Sequence, residues 1–167
     1  MHRREVEVTN HAANEIGANL LINPIVGVTA RGDIDYFTRV RCYEKVLERY
    51  PRGTALMALL PLAMRIAGPR EAMLHAIIRK NYGCNYILVR KNHADNSNGK
   101  TKSFYKSEEA QQLVKYHEEE LGIKAVPEPD MIYVTEMAKY FPVEQVPRGF
   151  TAMDLSGEEI EYRMSRD

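Results

Sequence analysis

Basic side chains gather at two places where apolar runs of this chain end. Tyr86 to Val89 leads directly into Arg90-Lys91-Asn92-His93-Ala94. Ala55 to Leu60 leads into a stretch that carries Arg65, the break Gly68-Pro69, and then Arg70, His75, Arg79 and Lys80. If both runs are strands of one sheet, two basic loops stand at strand carboxyl ends. In open α/β sheets that edge is where ligands bind. Lys+Arg is 23 and Asp+Glu is 23, so formal net charge is +0. The whole molecule therefore exerts no pull on nucleic acid or on a membrane surface, and any anion site must come from local clustering of this kind.

The elements that position these groups can be read in order. Met1 to Ile16 reads as a helix with mixed apolar spacing, stopped by Gly17. Ala18–Ile22 is a short strand, left through Asn23-Pro24-Ile25-Val26-Gly27. Ala30 to Asp33 is loop, with Asp33 as candidate N-cap. The helix it opens carries Phe37, Val40, Tyr43, Val46 and Leu47 as its apolar face and ends near Tyr50-Pro51. A strand over 55–60 precedes a helix over 69–81, with Pro69 suited to a first turn. Ala72, Met73, Ala76 and Ile77 are its predicted buried face, and Gly83 ends it. After the strand 86–89, Asn92 to Ser103 is a polar loop long enough to be a lid or an insertion. Ser107 is read as the cap of a helix running to Leu121, with Gly122 as its stop. Ile123–Val126 and Met131–Val134 are strands, Phe141–Phe150 is extended, and Ser156 begins a last helix.

A length of 167 residues, 44% hydrophobic and 28% charged, suits one globular domain. Cys42 and Cys84 suggest neither a metal site nor a disulfide framework and are read as buried free thiols. No apolar stretch is long enough to span a bilayer and no signal peptide opens the chain, which fits a cytoplasmic setting. Strands and helices alternate four times, which predicts a parallel sheet with helices on both faces and right-handed crossovers.

The run Leu60-Pro-Leu-Ala-Met-Arg65, Gly68-Pro-Arg-Glu-Ala72 and His75-Ala-Ile-Ile-Arg-Lys-Asn-Tyr-Gly83 resembles ATP sulfurylase, the sulfate adenylyltransferase family, whose chains are much longer. The resemblance extends from Met1 to about Arg163. It implies an α/β, Rossmann-like nucleotidyltransferase sandwich with a mainly parallel sheet. It implies that a sulfate oxygen attacks the α-phosphorus of ATP, that pyrophosphate leaves and that adenylyl sulfate forms. Such a reaction needs positioning and charge neutralisation more than covalent help. Arginine, lysine, histidine, helix N-termini and Mg²⁺ brought with the nucleotide suit it.

The family's glycine-arginine-aspartate-histidine-alanine-glycine motif falls on residues 90–95. His93 and Ala94 match, whereas Arg90, Lys91, Asn92 and Asp95 replace the other four residues. The resemblance implies ATP contacts from Arg90, Lys91, Asn92 and His93, and a sulfate contact from the Ala94 amide. Lysine neutralises phosphate without arginine's bidentate fork. Asn23 stands where the family has histidine, and Asn23 and Arg65 are carried over as supporting residues. Ile132 lies in a stretch similar to a family strand near the adenine. His75 is read as a packed histidine satisfied inside its helix. At the start, His2 matches a phosphate-binding histidine, Glu5 stands where the second should be, and the family's glutamine-threonine-arginine-asparagine run is absent. Leu155-Ser156-Gly157-Glu158 resembles a family motif with glutamate in place of threonine.

The expectation is therefore a catalytic domain over residues 1–150, with 151–167 as its helical tail, lacking the family's first strand. The expected ligands are ATP with Mg²⁺ and sulfate, with no metal held by the protein and neither nucleic acid nor membrane as partner. A homo-oligomer or a partner chain is left open, and a non-catalytic nucleotide-binding or interaction subunit is the alternative.

Overall fold

A computed structural model describes residues 3–27, 34–95 and 103–153. The chain forms two compact units, Met1–Glu128 and Pro129–Asp167. His2, the loop around Asp33, the middle of the 92–103 loop and the helix expected from Ser156 lie outside the described residues.

The first unit opens with helix α1 (Arg3–Ile16), whose buried residues are Val8, Ala12 and Ala13. Gly17 ends it at φ 62, a left-handed conformation that costs other residues roughly 1–2 kcal/mol. Strands β1 (Leu20–Ile22) and β2 (Ile25–Val26) follow, then helix α2 (Tyr36–Leu47). The α2 cap is Asp35, not Asp33: its carboxylate accepts the Thr38 N–H at 3.0 Å. The expected apolar face of α2 is half-buried at Val40, Tyr43, Val46 and Leu47, whereas Phe37 is 65% exposed.

The strand expected over 55–60 is two pieces, β3 (Ala55–Met57) and β4 (Leu60–Pro61). Their parallel registers share one offset, with Leu20 opposite Ala55 and Ile25 opposite Leu60. The ladder is interrupted at Asn23-Pro24. Proline has no N–H to give, and the Asn23 side-chain amide donates to the Ala58 carbonyl at 2.9 Å there.

Helix α3 (Pro69–Asn81) leads into β5 (Tyr86–Val89). Ala72 and Ala76 are fully buried, whereas Ile77 is 46% exposed. The buried face is turned away from the expected one, toward Glu71 and His75, which are 2% and 4% exposed. Beyond the loop come α4 (Glu109–Tyr116), α5 (Glu118–Leu121) and β6 (Lys124–Pro127). The helix expected as one piece breaks at His117, and the residue before α4 is Glu108 at φ 71 with no side-chain cap. Instead the Glu109 carboxylate accepts the Lys106 N–H at 3.1 Å.

β5 and β6 pair in parallel, with Tyr86 opposite Lys124. Ala72 and Ala76 of α3, Ile87 and Val89 of β5, Ala110 and Val114 of α4, and Ile123 form one apolar core. The small alanines let the helices approach the strands closely. Among the described residues no strand pairing joins the β1–β3 and β2–β4 ladders to β5–β6.

The second unit corrects the expected alternation. β7 (Met131–Val134) and β8 (Lys139–Pro142) form an antiparallel hairpin, with β9 (Ala152–Met153) on the other side of β7 and a 3-10 turn at Val143–Gln145. Four residues connect β7 to β8, too few for a parallel crossover. Both cysteines are free, but Cys42 is exposed and Cys84 only half-buried, against the expectation of buried thiols. No helix among the described residues is long and apolar enough to cross a membrane.

Candidate functional site

The two basic loops meet. Leu62 N–H donates to the Val26 carbonyl, and the chain leaving β4 then runs to Gly68, whose N–H donates to the Ala94 carbonyl at 3.0 Å. The loop after β4 and the loop after β5 are thus tied by a backbone hydrogen bond. Each carries a strained non-glycine residue, Ile66 at φ 55 and Ala94 at φ 54. Such strain persists only where surrounding structure overdetermines it, and it clusters at ligand sites.

Glu71 organises the first loop. Its two carboxylate oxygens accept the Arg65 and Ala67 N–H groups, both at 2.9 Å. Charge-assisted bonds of this type are stronger than neutral ones. Arg65 is therefore pinned through its backbone while its side chain remains exposed.

Residues 90–95 form the second loop. Arg90 and Asn92 are exposed; Lys91, His93 and Ala94 are half-buried. Lys91 Nζ lies 3.6 Å from Glu108 Oε1, both side chains partly exposed. Such a pair contributes ~0–1 kcal/mol and holds the ammonium only loosely. Lys91, Asn92, His93 and Asp95, with Pro69, Tyr105, Lys106 and Ala110, line a shallow surface recess. The Asp95 carboxylate accepts the Ser103 hydroxyl hydrogen, which draws the two described ends of the polar loop together.

His93 reaches inward from this turn to buried His75. Its Nε2 lies 2.9 Å from His75 Nδ1, with the rings edge to face at 5.1 Å. Burial, then the charges of His75, Arg90 and Arg79, push its pKa down to about 4. Burial and Arg79 likewise lower that of His75. Both rings are neutral at pH 7. The expectation of a fully satisfied His75 is corrected: Nδ1 is bonded, but its buried Nε2 has no hydrogen-bond partner. Buried Arg79 Nη1, one turn further along α3, has none either.

The other expected site residues are placed separately. Half-buried Asn23 donates to Ala58, while its Oδ1 is buried without a partner. Ile132 stands in β7 opposite Phe141, in the second unit. Sequence reasoning missed Glu71, Tyr105 and Lys106. Glu71 had a readable signal, a glutamate in the first turn after Gly68-Pro69, the position from which a carboxylate reaches back to preceding N–H groups.

The model of the ATP-sulfurylase family matches residues 1–167. The chain belongs to the ATP-sulfurylase family. This family member is 50% identical over 165 residues to a sulfate adenylyltransferase of Yarrowia lipolytica, covering 98% of this chain and 29% of the relative. It is 48% identical to that of Schizosaccharomyces pombe, covering 98% and 34%. A solved structure described as a hexameric APS kinase from Thiobacillus denitrificans is similar at TM-score 0.74 and 31% identity, covering 98% of this chain and 29% of that one. This ATP-sulfurylase family chain thus spans about a third or less of the length of these relatives.

Proposed function

We propose that this chain is a nucleotide-handling portion of a sulfate adenylyltransferase, acting on ATP carried with Mg²⁺ and on sulfate to form adenylyl sulfate and pyrophosphate. The observation that carries the reading is the hydrogen bond between Gly68 and Ala94, which joins a basic turn to the loop before α3. Exposed Asn92 and half-buried Lys91 then border the recess, with exposed Arg90 next to them in the chain.

In this reading Arg90, Lys91, Asn92 and His93 receive the nucleotide. Lys91 exchanges Glu108 for a phosphate oxygen, and neutral His93, with both ring nitrogens engaged inside the protein, contributes to the nucleotide contact by packing and by holding the turn, without adding charge. The Ala94 N–H receives sulfate. His2 contacts phosphate, Ile132 lines the adenine, and Asn23 and Arg65 support the loops. Among the described residues no cluster of three or more His, Cys, Asp or Glu could hold a metal. In this reading Mg²⁺ enters on the triphosphate, where it would neutralise charge on the leaving pyrophosphate.

The finer architecture proposed is a Rossmann-like sandwich, with residues 1–150 as catalytic domain and 151–167 as its tail. A cytoplasmic location and self-association belong to the same proposal; the similar solved structure is described as hexameric. Calorimetric titration of the chain with Mg·ATP and adenylyl sulfate, beside a pyrophosphate-release assay, tests it. Binding with turnover supports the enzyme, binding without turnover the non-catalytic alternative, and absence of both refutes the reading.

A further inference from the structure

Four groups stand in a line through the buried face of α3. The Arg90 N–H points at His93 Nδ1 at 3.5 Å. His93 Nε2 faces His75 Nδ1 at 2.9 Å. His75 Nε2 lies 3.8 Å from Glu71 Oε1. A neutral imidazole donates from one nitrogen and accepts at the other, so each end of this line dictates the protons between.

At the outer end, a backbone N–H can only donate. His93 Nδ1 must therefore be the acceptor, and the ring proton sits on Nε2. That proton is donated to His75, whose Nδ1 must then be bare and whose proton sits on Nε2. At the inner end, a carboxylate anchored by the Arg65 and Ala67 amides attracts an N–H rather than a lone pair. It asks for that same His75 tautomer. The two ends agree, and every donor points the same way.

We infer that Glu71 and His75 are positioning residues that lock His93 as its Nε2–H tautomer and thereby clamp the 90–95 turn to α3 and to the 65–67 backbone. The unpartnered state of His75 Nε2 fits this picture, since its proton faces the Glu71 charge at a distance beyond a hydrogen bond. Neither residue borders the recess. They act through His93, and the part of the inference that concerns ligand affinity rests on the nucleotide reading above.

Long-range ¹H–¹⁵N correlation spectra of the labelled chain at pH 7.5 read the tautomers directly. Both His75 and His93 should show Nε2–H and a bare Nδ1. His75→Leu should shift the His93 ring nitrogens and speed amide exchange at residues 90–94, and weaken Mg·ATP binding on the order of 10-fold. His75→Asn, whose Oδ1 can accept where Nδ1 did, should restore most of that loss. A merely space-filling role would be served by leucine and not by asparagine. His93 found as Nδ1–H in the unmodified chain overturns the inference whether or not the variants fold. So does a folded His75→Leu with unchanged His93 shifts. Expected tautomers in a chain that binds no Mg·ATP would refute the nucleotide reading while leaving the relay intact.

Discussion

The Gly68 amide donates to the Ala94 carbonyl at 3.0 Å, and the Tyr105 ring packs against Gly68 where a side chain would otherwise project. One glycine thereby joins the loop after β4, the turn after β5 and the segment entering α4. A Cβ at Gly68 would collide with three Tyr105 ring carbons, and φ there is 53. Gly68→Ala should destabilise the first unit by about 2–4 kcal/mol, combining left-handed strain with displacement of an aromatic ring. Chemical denaturation with the slope checked for constancy measures it; a loss under about 0.5 kcal/mol would mean that Tyr105 moves aside freely.

Lys91→Ala should weaken Mg·ATP binding by roughly 1–3 kcal/mol, and the difference from the unmodified chain should shrink as salt rises. Its pair with Glu108 is too exposed for the fold to depend on it. Thermal midpoints should stay within a degree or two. Equal affinities by calorimetry would reduce the turn to a solvated basic surface.

Stability should fall as pH drops from about 6.5 toward 4. His93 is held neutral in the folded chain down to about 4, and His75 is shifted in the same direction. The unfolded chain binds protons near pH 6.5. Between those values it holds more protons than the native state, so acid favours unfolding; above 6.5 both states are neutral and stability is at its plateau. Urea midpoints at pH 7.5 and 5.0 should differ, and His93→Gln should flatten the difference. A pH-independent midpoint would mean that the two rings are open to water.

Glu71→Ala should cost about 2–4 kcal/mol, because it strips the Arg65 and Ala67 amides of a buried carboxylate acceptor. Glu71→Gln retains one acceptor oxygen and should lose less. Hydrogen exchange at Arg65 and Ala67 resolves the two cases: protection retained in the alanine variant would assign those amides another acceptor.

Much of the local structure was legible because it depends on neighbours in the chain. Gly17, Gly83 and Gly122 end their segments at positive φ, as only a residue without Cβ does cheaply. Pro69 opens α3, and the unbroken apolar run Tyr86–Val89 is a strand. The match of Leu60 to Gly83 sufficed to point to the family. Tertiary structure decided what depends on distant partners. The face α3 buries is set by β5 and α4, so Ile77 is left out and Glu71 and His75 are taken in. The face of α2, correctly spaced, is only half-buried, and Phe37 is left exposed. β7 turns back on β8 because Thr135 to Ala138 is too short to cross over. His75 and His93 are 18 residues apart, and no spacing rule brings their rings to 2.9 Å. That contact exists because α3 packs on β5, and packing is a property of surfaces that sequence neighbours do not share.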